Sequence, residues 1–185
     1  MAHLSPRRYV FPFAIALATL PGTFQAQELT RDEQVATMTA QYTITKYYHD
    51  LDYKVAELLQ MQALAVLEGF AGKDLGRGSY RSDVYKLNEW MPHYKGQIAR
   101  LVAAVNREQL MGEADRHRFL EEVARFSDLV SAGNAIVDAL GQGNANLAND
   151  IFHSRSLPTA SGIRGSIYTL TSGADDRFKA ALRNH

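Results

Sequence analysis

The chain has 185 residues, 46% of them hydrophobic, and 20 Lys and Arg balance 20 Asp and Glu. This is the composition of one globular domain with a real core, and it offers no cationic excess to hold a nucleic-acid backbone. Cysteine is absent, which excludes disulfides, iron–sulfur clusters, covalently attached c-type haem and thiolate zinc sites together.

The first 26 residues read as a secretory signal. Arg7 and Arg8 form a basic start, Phe11 to Leu20 form a short apolar run, and Pro21-Gly22 break it before a polar stretch that ends at Ala26. The run is shorter than the roughly 20 residues of a spanning helix and contains Pro12. Cleavage is expected near Ala26, although Phe24 is bulky where a small residue is preferred. The arginine pair also admits a twin-arginine reading. The expected organisation is a signal peptide over residues 1–26 and a helical domain over 27–185. That places the mature chain in the periplasm or outside the cell, with no integral membrane span.

Thr30 with Glu33 is a capping-box pattern that opens helix one. Ile44, Tyr48, Leu51, Val55, Leu58 and Ala65 then recur at steps of three and four, with Gln62 as a polar interruption, as far as Ala71-Gly72. The Gly-rich stretch from Lys73 to Ser79 forms the first loop. Ser82 caps helix two, whose stripe is Val84, Leu87, Met91, Tyr94, Ile98, Leu101 and Val105. Pro92 inside it predicts a kink near Asn88 to Met91, and Met111-Gly112 marks its end.

Helix three carries Phe119, Val123, Phe126, Val130, Gly133, Val137 and Leu140, and stops at Gly141-Gln142-Gly143. Asn144 caps helix four, where Leu147 and Ile151 begin an apolar face that Pro158 interrupts and Ile163, Ile167 and Leu170 resume. Its many hydroxyl residues, such as Ser154, Ser156 and Thr169, are weak helix formers, so packing must hold this segment. Ser172-Gly173 should end it, leaving a short tail helix over 174–183 with Phe178 and Leu182 on one side. Narrow stripes joined by short loops can be buried only against one another. The fold class is therefore all-α: an antiparallel up-down-up-down four-helix bundle with a short C-terminal helix.

Metal-binding bundles use Glu-x-x-His, which does not occur here. Glu89 with His93, His117 with Glu121 and Asp150 with His153 are the nearest substitutes, and none is duplicated as a dinuclear centre requires. Methionine at a stripe position such as Met91 is core filler rather than a haem ligand. No metal or cofactor is expected. Phosphate loops and Gly-x-Ser-x-Gly turns are also missing, so a non-catalytic role is the reading, and His49, His93 and His153 are the residues an enzyme would need.

The candidate site is aromatic. His49 and Tyr53 on helix one, with Tyr85, Trp90 and His93 on helix two, can meet across a helical hairpin. Tyrosine and tryptophan join an apolar ring to a hydrogen-bonding tip, which suits a small aromatic or carboxylate ligand or a protein partner. Tyr48 and Tyr94 lie on the stripes and read as core.

The segment from Ile136 to Ile151 resembles the junction between helices three and four in the four-helix-bundle sensor domains of bacterial chemoreceptors. Gly143, Asn144 and Ala148 occupy the places of its glycine, short polar residue and alanine. The resemblance implies a sensor-like bundle without the membrane helices of that family, and it assigns no binding residue. The function expected is that of an exported binding protein, sensory or accessory, monomeric or a homodimer, acting on a small molecule or an envelope protein. The alternative is a structural or assembly factor, or chaperone, of the envelope or a secretion apparatus.

Overall fold

The computed structural model describes residues 30–71 and 82–183. The expected signal peptide and the Gly-rich stretch from Lys73 to Ser79 lie outside the described residues, as does the side chain of Leu182. The described chain is all-helical: α1 (Arg31–Phe70), α2 (Asp83–Glu108), α3 (Glu113–Gly141), α4 (Ala145–Ile151), a π turn (Phe152–Ser156) and α5 (Leu157–Arg183). Among the described residues there is no strand, and no helix is long and apolar enough to cross a membrane.

Each helix begins where its sequence allows. The Thr30 side chain accepts from the Glu33 N–H at 3.3 Å, and the Glu33 carboxylate accepts from the Thr30 N–H at 2.8 Å, so the capping box is complete. Ser82 caps α2 through the Tyr85 N–H, and Asn144 caps α4 through the Leu147 N–H. A Glu68 oxygen accepts from Ser82 Oγ and from the N–H groups of Asp83 and Val84. The end of α1 is thereby tied to the unsatisfied amides that open α2.

The stripes become one core. Tyr48, Leu51, Val55 and Leu58 of α1 are buried with Leu87, Met91 and Tyr94 of α2, with Phe119, Phe126 and Leu140 of α3, and with Ile163 and Leu170 of α5. Helix α1 packs on α2, α3 and α5, while α3 packs on α1, α2 and α5; α2 and α5 do not touch. Of the two diagonals, α1 with α3 is thus the short one, and Gly133 of α3 leaves room there for Met91 of α2 and Gln62 of α1. A Cβ on Gly133 would fall 2.0 Å from Met91 Cε and 2.8 Å from Gln62 Nε2. Gln62 itself is buried and donates to the Leu129 carbonyl at 2.9 Å.

Four details differ from expectation. Helix α2 stops at Glu108, earlier than Met111-Gly112, because Gln109 takes the left-handed conformation at φ 50°. That turn sends Met111 inward as a buried plug at the end of the core. Leu147 is exposed and Ala148 buried, since α4 lies close enough to its neighbours for only a small side chain to face them. Pro158 does not break the helix. It lacks an N–H and crowds the carbonyl four residues back, and the widened π turn, closed by the Leu157 N–H on the Phe152 carbonyl, absorbs the misfit. Finally, α5 runs straight through Ser172-Gly173, so the C-terminal helix is 27 residues long rather than a short separate tail. An internal glycine costs a helix only about 1 kcal/mol. Buried Ala174 and the ion pair of Arg177 with Asp115 hold the segment beyond it.

The hydroxyl residues of this last helix are accommodated by back-bonding. Ser154, Thr169 and Thr171 each donate to the carbonyl four residues before, which hides the hydroxyl without a tertiary partner. Ser156 differs: it is fully buried and its Oγ has no partner.

Candidate functional site

Two of the five sequence-predicted site residues, Trp90 and His93, stand together on α2, while Tyr53 stands on α1 nearer the opposite end of α2. Trp90 stands on the outside of α2 at 41% exposure, its ring 5.7 Å from that of His93 and 6.3 Å from that of Tyr94. Residues three and four apart share a helix face, so this grouping follows from the local helix alone. Tyr94 turns inward, sets its ring edge-on to Phe126 at 6.0 Å and donates its hydroxyl to Met61 Sδ at 3.3 Å. Burial, reinforced by the nearby Glu57 carboxylate, raises the pKa of the Tyr94 hydroxyl well above the ordinary tyrosine value.

Glu57 links the two helices at this point. The Tyr53 hydroxyl donates to its Oε1 at 3.4 Å, and Lys54 Nζ lies 5.8 Å from the Tyr53 ring centre. Trp90, with His93 next to it, therefore adjoins the buried Tyr94 from α2, and Tyr53 with Glu57 approaches the same Tyr94 from α1. Sequence reasoning missed Glu57. Its signal was its place four residues after Tyr53, one turn along the same side of α1.

His49 and Tyr85 stand apart from this group. His49 is exposed one turn before Tyr53 on the same side of α1. Tyr85 is half-buried in the first turn of α2, and five residues of helix, roughly 140° of rotation, separate it from Trp90. Among the other histidines, His117 Nδ1 sits 3.3 Å from Glu121 on the surface, and His153 Nδ1 is 3.0 Å from the Asn149 carbonyl. No group of three or more metal-binding side chains occurs among the described residues.

A second concavity was not visible in the sequence. Between α2 and α3 an open groove of about 480 Å³ is walled by Ile98, Val102, Leu120, Val123 and Val130, with Lys95 at its margin. The size is within the range of small-molecule pockets, and the walls are apolar.

A further tyrosine pair marks the end of the core near the α2–α3 turn. Tyr47 donates its hydroxyl to Glu108, and the hydroxyl holds the Glu108 carboxyl below the ordinary carboxylate range. Burial first, and then Glu108, push Tyr47 up to about 12. Tyr48, its ring tilted against that of Phe119 at 5.6 Å, is pushed up to about 12 mainly by burial.

Comparison with known proteins finds no matching family model, no matching curated protein and no matching solved structure. The class defined is an all-helical protein with an aromatic cluster on one face and an apolar groove on another.

Proposed function

We propose that this chain is an exported, antiparallel up-down-up-down four-helix-bundle protein that binds a small ligand or partner protein at Trp90 and His93 of α2 and Tyr53 of α1, in a sensory or accessory and non-catalytic role. The direction of the helices is supported by paired contacts at both ends. Tyr47 reaches Glu108 while Glu68 reaches Ser82, and Gln41 reaches Asp175 while Asp52 reaches Arg164. Export rests on Arg7, Arg8 and the apolar run from Phe11 to Leu20. The sensory part of the reading rests on the sequence resemblance at the Gly143-Asn144-Ala148 junction.

The observation that carries the binding reading is the partly exposed Trp90 in ring contact with His93 and with Tyr94, the last of which has the Glu57 carboxylate near its hydroxyl. A tryptophan ring joins a large apolar face to a hydrogen-bonding N–H, which suits a surface that takes a ligand or a partner. Aromatic faces next to Glu57 favour an organic cation over the carboxylate ligands considered from sequence, because ring quadrupole and carboxylate attract the same charge. Native and denaturing mass spectrometry of protein recovered from the periplasm of expressing cells tests both parts. The expected result is a chain cut near Ala26 that carries a reproducible small adduct, lost in Trp90→Ala. An uncut chain would remove the export reading, and a bare mass in both proteins would remove the ligand.

The α2–α3 groove favours a second reading, an envelope assembly factor or chaperone, since an open apolar trough suits a helix or extended segment of another protein. In that case the native mass would show captured protein rather than a small adduct.

A further inference from the structure

Helix α1 has two apolar stripes, and only one of them is buried by the described helices. The inner stripe enters the core. On the opposite side, Val35, Met38, Tyr42, Tyr53, Leu64 and Leu67 are between 40% and 74% exposed. At roughly 100° of rotation per residue these six share one face, and the intervening positions on that face are filled by Lys46, His49, Ala56 and Gln60. The steps of three and four are those of a helix prepared to pack on another helix. The face stretches from Val35 to Leu67, about 48 Å of helix.

We infer that this face pairs with the same face of a second copy of the chain, with the two α1 helices antiparallel about a two-fold axis at the level of Leu51. The positions are self-complementary around that point. Val35 and Leu67 are equidistant from Leu51, as are Met38 and Leu64, Tyr42 and Gln60, and His49 and Tyr53. Two-fold pairing requires that if one residue faces another, the reverse contact also forms. Here both ends bring aliphatic side chains together, and the centre brings imidazole to phenol.

Charge adds to the register. Lys46 and Glu57 lie on the same margin of the stripe, and antiparallel pairing brings matching margins together, so each Lys46 falls beside the other copy's Glu57. A strip about 48 Å long and about 10 Å wide covers roughly 500 Å² on each copy, or about 1,000 Å² in all. That is the threshold of a specific interface, so the dimer is weak, forming in the micromolar range.

The pairing goes beyond the ligand reading and meets it on α1 at His49, Tyr53 and Glu57, so the test reads self-association rather than ligand binding. Sedimentation of the full chain across the micromolar range should show a monomer–dimer equilibrium. Met38→Glu combined with Leu64→Glu should give a monomer of unchanged helicity and melting temperature, since both side chains are outside the core. The chain has no cysteine, so Val35→Cys mixed with Leu67→Cys under oxidation should yield a cross-linked heterodimer, which forms only when the two Cα atoms come within about 7 Å. A monomer at every concentration would overturn the pairing and leave this face to a different protein. Dimers that survive the double substitution, or Val35→Cys linking to itself as readily as to Leu67→Cys, would overturn this interface and this orientation respectively.

Discussion

Gly133→Ala tests the packing that lets α1 approach α3. A helix interior normally gains about 1 kcal/mol when glycine becomes alanine. At Gly133 the added carbon would fall 2.0 Å from Met91 Cε and 2.8 Å from Gln62 Nε2, and both neighbours are buried side chains. Met91 must leave its rotamer, an overpacking cost of about 1–3 kcal/mol. Gln62 must shift away from the Leu129 carbonyl, and an unmade buried hydrogen bond adds about 1–3 kcal/mol. The balance is a loss of about 1–5 kcal/mol after the helix gain, which lowers the melting temperature by at least a few degrees for a chain of this size. Gly165 supplies the control. It is exposed in α5 with nothing within 4 Å of an added Cβ, so Gly165→Ala should stabilise by about 0.5–1 kcal/mol. Urea denaturation followed by circular dichroism reads both. If Gly133→Ala stabilises as much as Gly165→Ala, the close α1–α3 contact is not there.

Alkaline pH should weaken the fold through its tyrosines. An unfolded tyrosine ionises near pH 10, whereas Tyr47 and Tyr48 are each pushed up to about 12 and Tyr94 is shifted the same way. Their stabilisation is complete below pH ~10 and is lost as pH rises toward about 12. Urea midpoints measured over that window should fall, and less steeply in Tyr47→Phe; a flat profile contradicts the buried placement of these rings. The same variant frees Glu108, whose lowered pKa contributes stability above the ordinary carboxylate range that is lost as pH drops through its folded value. Acid sensitivity should therefore also diminish in Tyr47→Phe. Ser156→Ala should raise stability by about 1 kcal/mol, because its buried hydroxyl has no partner to lose; a lower melting temperature would reveal a bond to that oxygen.

Much of the fold was readable because the stripes of the first three helices keep three-four spacing, and the caps at Thr30, Ser82 and Asn144 are local side-chain chemistry. Misreadings fall where tertiary contacts decide. Ser172-Gly173 carries a local stop signal, yet Ala174 burial and the pairing of Arg177 with Asp115 continue the helix. Pro158 was visible as a misfit, but whether the chain turns or widens into a π turn depends on what packs around it. Leu147 lost the inward position to Ala148 because space at α4, rather than hydrophobicity, selects the side chain. Of the candidate site, the Trp90–His93 pair was legible from helical spacing, and the same spacing, roughly 140° over five residues, already sets Tyr85 apart from Trp90. The link of Glu57 to Tyr94 was not legible because the two lie on different helices and only the packing of α1 on α2 brings them together, and the α2–α3 groove was not legible because spacing between helices is not written in either one.

The binding reading is tested most directly by the emission of Trp90, which is the only tryptophan of the chain and stands in the proposed site. Titration with choline should shift or quench that emission saturably, while benzoate at equal ionic strength should leave it unchanged. Glu57→Gln should weaken the choline response without altering helicity. An emission indifferent to choline, or equally responsive to benzoate, would contradict a cation-binding site formed by Trp90 and His93 on α2 with Tyr53 and Glu57 on α1.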